Sequence, residues 1–195
     1  MRSRRIVLRS AATTIAIALS VCASAQRAGL CTEKEDFLFT CTLENKKVVS
    51  ACGEPGSNDD KYKSISYRYG VTGGIELSIP VGVEHFESLI DASELTSSKP
   101  IEDDTFLRFA HGPYKYVLYT ATGDTFDFKG LAVFKGDSLL KNQKCQADTF
   151  DIDWVYNTLI GMGVHGDDGD GKDLLLWKAI LPAKSAALKS LYRTR

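Results

Sequence analysis

Two places in the chain carry residue types whose spacing could do chemistry. In the first, Gly136-Asp137-Ser138-Leu139, a serine follows a glycine turn at the end of the apolar segment Leu131-Ala132-Val133-Phe134. A serine set on such a turn is how many hydrolases present a nucleophile, provided that a base stands within hydrogen-bond reach. The second is His165-Gly166-Asp167-Asp168-Gly169-Asp170-Gly171, with Asp173 just beyond. Carboxylates closely spaced on a glycine-rich loop are the hard oxygen donors that calcium takes.

Neither pattern is complete. The Ser138 block matches the letters of GDSL-type esterases, but that family sets it near the start of an α/β domain and draws its base from a downstream Asp-x-x-His. No Asp-x-x-His occurs in this chain, and a nucleophile without a base is not a mechanism. A β-turn at Gly136-Asp137 explains the same residues. In an EF-hand frame with Gly171 as the obligatory glycine, Asp168 and Asp170 fall on ligand positions. Gly166 then stands at position one, and Trp177 stands where a bidentate Glu is needed. A solvated acidic turn is the plainer reading. His85, His111 and His165 are scattered, with no H-x-x-x-H or other ligand spacing. The rings Tyr114, Tyr116, Tyr119, Phe126, Phe128 and Phe134 mix even and odd positions, which predicts a sheet with aromatics on both faces.

The elements that would hold these residues are mostly strands. Residues 37–53 alternate about a polar turn at Glu44-Asn45-Lys46, a hairpin pattern. Ile65–Tyr69 and Ile75–Ile79 alternate with period two around Gly70 to Gly74, and residues 80–103, bracketed by Pro80 and Pro100, are less regular. From Thr105 the pattern resumes, with turns at His111-Gly112-Pro113, Gly123-Asp124 and Lys135-Gly136-Asp137. Seven to nine short strands with turns about every 8–12 residues predict an antiparallel β-barrel or sandwich. After Cys145, Ile152, Val155, Tyr156, Leu159 and Ile160 recur at helical spacing. The expected division is therefore a signal peptide at 1–25, an antiparallel β domain at 26–148, and a C-terminal helix, acidic loop and basic tail at 149–195.

The leader sets the expected compartment. Arg2, Arg4, Arg5 and Arg9 precede an apolar run, and Ala23-Ser24-Ala25 predicts cleavage before Gln26. Ser3-Arg4-Arg5 also fits a twin-arginine signal, and general secretory export is the alternative. Cys22 follows Val21, which is bulky for a lipidation site, so it is expected to leave with the leader. The run is too short for a permanent span, and the chain is expected to be periplasmic or secreted with no membrane span. Removing the four leader arginines from 24 basic against 25 acidic residues leaves a net charge of about −5, which argues against nucleic acid as a partner. Cys31, Cys41, Cys52 and Cys145 remain, an even number that reads as two disulfides in an oxidising compartment. Three connectivities satisfy the count. Cys41–Cys145 with Cys31–Cys52 is the favoured one.

From Phe39-Thr40-Cys41 to Cys145 the chain resembles the periplasmic inhibitors of c-type lysozyme, small exported β-barrels that open on an aromatic-x-Cys strand and close on a Cys strand. Phe134-Lys135-Gly136-Asp137-Ser138-Leu139-Leu140 is similar in order to the stretch those proteins carry before the closing strand, and Gly112-Pro113-Tyr114 is similar to their upstream Gly-x-x-Tyr-like element. The chain also looks like a broader group of uncharacterised exported bacterial β-proteins with F-x-C-x-(4–5)-K-x-(3–4)-C and Tyr-x-(Tyr/Phe)-Gly-like elements. In the inhibitor family a Ser and a Lys enter the enzyme cleft and meet its catalytic carboxylates. The resemblance gives Lys135 the place of the Lys and makes His111 and Tyr114 its companions. It leaves the Ser without a counterpart, because His111 precedes Gly112. The function expected is a non-enzymatic exported binding protein, an inhibitor of a cell-wall hydrolase such as lysozyme. The alternatives are an envelope protein that binds calcium or a small ligand through residues 167–173, and a GDSL-like esterase. If calcium binds, it raises the melting temperature of the protein, and Asp168→Asn combined with Asp170→Asn removes that rise; differential scanning calorimetry with and without calcium checks this.

Overall fold

The computed structural model describes residues 29–57, 62–95, 103–123, 126–146, 159–162, 164–166 and 179–180. The expected leader, most of the expected C-terminal helix and the acidic loop beyond Gly166 lie outside these residues.

Two sheets form the fold. The first is the meander β1 (Asp36–Thr42), β2 (Val48–Pro55), β3 (Tyr62–Val71) and β4 (Gly74–Gly82), all antiparallel in sequence order. A 3-10 turn at Val83–His85 and the one-turn helix α1 (Phe86–Leu89) then lead into β5 (Ile90–Leu95). The second sheet continues the meander through β6 (Asp103–His111), β7 (Tyr114–Gly123), β8 (Phe126–Lys135) and β9 (Ser138–Lys144). A two-residue strand, β10 (His165–Gly166), joins its other edge parallel to β5. The antiparallel β architecture is as the alternation predicts. β5 and β10 are departures: the alternation of β5 lasts only from Ile90 to Ser93, β10 is two residues long, and each is held by its neighbours. In the C-terminal part, helical backbone is described only at 159–161 and at Ala179 and Ile180.

The sheets pack face to face. Phe39, Val49, Ala51, Ile65, Tyr67 and Ile79 of the first meet Phe109, Leu118 and Leu131 of the second in one buried cluster, which Phe86 of α1 and Leu159 and Val164 also join. Tyr67 stands at its centre, with its ring 5.7 Å from Phe109 and 5.0 Å from Tyr116. Such tilted ring pairs add to the free energy of burying the rings.

The second sheet is apolar on both faces, as the mixed spacing of its rings predicts. Leu118 and Leu131 point into the core, while Phe106, Val117, Tyr119, Ala121 and Ala132 are buried on the opposite face. There the Tyr119 hydroxyl donates to Asn142 Oδ1 at 2.7 Å, and Asn142 Nδ2 donates to the carbonyl of Ile180 at 2.7 Å. Tyr119 lies opposite Gly130. A Cβ at Gly130 would come within 2.3 Å of the Gln143 carbonyl and 2.7 Å of the Tyr119 hydroxyl, so the ring needs a glycine beneath it.

Cys41–Cys145 and Cys31–Cys52 are the disulfides. The first spans a sequence separation of 104 and ties β1 to the end of β9; in the chain-entropy account such a loop contributes roughly 5 kcal/mol. Beside it the strands make one antiparallel bridge, Leu43 with Cys145, in which Glu44 N donates to Lys144 O and Gln146 N to Thr42 O. The second disulfide holds residues 29–35 against the outer face of the first sheet. There Arg68 makes a two-pronged pair with Glu35, at 2.6 and 2.7 Å, and donates to the Leu30 carbonyl at 2.9 Å. The amide of Leu30 donates to Ser50 Oγ, which also shares a hydrogen bond with Thr40.

Burial alone would raise the Glu35 carboxyl, but the hydrogen bonds from Arg68 and from the Thr32 amide outweigh it and hold the group below its ordinary 4.5. A depressed carboxylate contributes stability above its unfolded value and loses it as the pH falls through the folded one. Glu35→Gln is therefore expected to cost roughly 2–3 kcal/mol at pH 7, and to flatten the acid dependence of stability below pH 4.5; urea unfolding at pH 7 and pH 3 measures both.

Candidate functional site

The residues that sequence reasoning marked converge at one end of the second sheet. Two tight turns form that end, β6–β7 at Gly112-Pro113 and β8–β9 at Gly136-Asp137. Gly112 and Gly136 both have φ 57°. A left-handed residue at the first central position of a two-residue hairpin loop is the type II′ arrangement, whose twist matches the flanking strands, and glycine adopts it without strain. The turns are fastened together where Gly136 N donates to the Pro113 carbonyl at 2.9 Å.

Register then puts four marked residues in a single row. His111 lies opposite Tyr114, Tyr114 opposite Lys135, and Lys135 opposite Ser138. Directly opposed residues share a face, so the row crosses β6, β7, β8 and β9 on the side that faces the core further along the sheet. Here it has run past the core: Tyr114 is half-buried, and His111, Lys135 and Ser138 are exposed. The Lys135 ammonium lies 5.9 Å from the Tyr114 ring centroid, a cation–π approach. Tyr114 in turn lies 6.5 Å from Tyr116, which stacks on Tyr67. A ladder of rings thus runs from the core to the surface and ends beneath Lys135.

The electrostatics of this end are locally basic. Lys115, on the other face, is 3.5 Å from Asp137. Lys135 and Lys141 have no carboxylate within ion-pairing distance among the described residues. Lys144, on the opposite face, lies 5.5 Å from the Phe128 ring. With Asp137 beside Lys115 and no acid beside Lys135 among the described residues, Lys135 can meet an outside anion.

The other candidates do not gather here. His111 shares the row with Ser138, but three strand spacings of about 4.8 Å put it roughly 14 Å away, too far to take its proton. His85 lies after β4, near Glu84, and His165 lies on β10 at the far edge of the sheet. Asp167, Asp168, Asp170 and Asp173 lie outside the described residues. Among the described residues, no three His, Cys, Asp or Glu side chains are gathered as a metal site would need, and no helix is long and apolar enough to cross a membrane.

Sequence reasoning missed Lys141. A one-residue slip in pairing, with Val133 opposite Lys141 but Phe134 opposite Leu139, leaves Leu140 as an extra residue on β9. That bulge returns Lys141 to the face that carries Lys135, and strict alternation from Ser138 would have put it on the other. Leu140 itself is 56% exposed. Comparison with known proteins adds nothing to this geometry: no family model, curated protein or solved structure matches the chain.

The stacking of Lys135 on Tyr114 has a direct signature. The Lys135 Hε protons are expected to resonate upfield of the other lysines through the ring current, and Tyr114→Leu should return them to the ordinary position; a proton–carbon correlation spectrum of both proteins decides it.

Proposed function

We propose that this protein is an exported, non-enzymatic binding protein whose paired β-turns block the cleft of a cell-wall hydrolase, with a lysozyme as the most concrete target. The observation that carries the reading is Lys135: an exposed cation with no acid partner among the described residues, lying over the half-buried ring of Tyr114 beside a rigid double turn. A glycoside hydrolase presents two carboxyl groups at the bottom of a cleft. A protruding cation is the complementary shape and charge. Two II′ turns joined by a backbone hydrogen bond keep the conformational entropy lost on docking small.

The rest of the molecule suits such a role. Two disulfides fit an oxidising compartment, and a periplasmic or secreted location follows if the leader is a signal peptide. The net charge of about −5 after leader removal would draw in a cationic enzyme over long range, and the lysine would then fix the docked register. The resemblance to lysozyme inhibitors points the same way through Lys135, Gly136 and Asp137.

The test is a titration of the exported, oxidised protein against c-, g- and i-type lysozymes, following lysis of a cell-wall substrate. Stoichiometric inhibition of at least one is expected, with Lys135→Ala weakening it about tenfold. Absence of inhibition at micromolar excess over all three would remove the lysozyme reading.

A further inference from the structure

We infer that Lys141 is a second anchoring cation, so that the face engages both carboxyl groups of the hydrolase cleft and not a single one; the inference rests on the reading above. The bulge at Leu140 is what brings Lys141 to this face. Ser138 is opposite Lys135, and Lys141 is opposite Val133, two residues before Lys135 on β8. Lys135 and Lys141 are therefore diagonal neighbours on adjacent strands, with Cβ atoms about 7–8 Å apart. Between and beside them lie half-buried Val133 and Tyr116, a floor that offers neither lysine a carboxylate. Bulges on edge strands commonly re-aim a side chain, and this one sits two residues beyond the first position of β9.

Two lysines rooted that close can bring their ammonium groups onto the carboxyl pair of a glycoside hydrolase, whose members stand about 5–9 Å apart depending on mechanism. The long, flexible lysine stems can close on the shorter value or reach the longer one. The lysines are also like charges on neighbouring strands, an arrangement that costs stability in the free protein. A bound pair of anions relieves that cost, so affinity should depend on both lysines together. Leu140, exposed at the edge beside them, supplies an apolar lip against the partner's cleft wall.

The experiment uses the lysozyme that the protein inhibits best and a hexaglutamate peptide as an independent probe. Both lysines are exposed, so their variants should fold, and near-ultraviolet circular dichroism confirms it. Lys141→Ala is expected to weaken inhibition about fivefold, Lys141→Arg to retain it, and Lys135→Ala combined with Lys141→Ala to lose less than the product of the single effects, because either single variant already forfeits the term the two lysines share. If the wild-type protein inhibits and Lys141→Ala inhibits equally, the second anchor is wrong and the inhibitor reading stands. If no lysozyme is inhibited, that reading falls and hexaglutamate decides the anchor. Wild-type binding by isothermal titration calorimetry that Lys141→Ala weakens supports a two-carboxylate face, and binding that is absent or indifferent to Lys141 overturns it.

Discussion

Everything in the molecule depends on how the last residue of the meander meets the first strand. Two sheets built from consecutive hairpins have free edges, and the apolar faces that form the common core are buried only when the sheets meet. The single bridge between Leu43 and Cys145, locked by Cys41–Cys145, joins those edges at one corner. With that corner fixed, Tyr67 must face Phe109 and Tyr116, and the common core follows. A staple at this point removes more freedom from the unfolded chain than the Cys31–Cys52 loop does, because it closes the longer segment.

The closure also explains why the candidate site is where it is. The disulfide occupies the end of β9 near Lys144, and the β6–β7 and β8–β9 turns lie at the opposite end of the same strands. Rigidity at the turns comes from the ladder of rings that rises from Tyr67 through Tyr116 to Tyr114. A lysine placed on the last ring loses less rotamer freedom on binding than one on an open loop. Core packing and partner recognition are thus two ends of one stack.

Much of this was legible in the residues. Period-two alternation from Phe37 to Gly53, and again from Thr105 to Phe134, marks the strands, and glycine at positions 112 and 136 marks the turns. Mixed ring spacing foretells a sheet buried on both faces. β5 was not legible, because its alternation lasts only from Ile90 to Ser93 before Glu94 breaks it, and the strand is fixed by its pairing with β6. β10 was hidden for the same reason, being two residues held against β5. Lys141 was invisible as a site residue because a bulge is a property of pairing between strands. Alternation counted along β9 from Ser138 puts that lysine on the wrong face. The row from His111 to Ser138 likewise exists only in register, and no spacing along the chain reveals it.

The most direct measurement of the central claim is hydrogen exchange of the oxidised protein with and without a saturating lysozyme, resolved by peptide. If the paired turns dock, exchange slows over residues 111–116 and 133–141 and residues 29–57 are unchanged. Slowing confined to the first sheet, or none in either turn while the enzyme is bound, would contradict it.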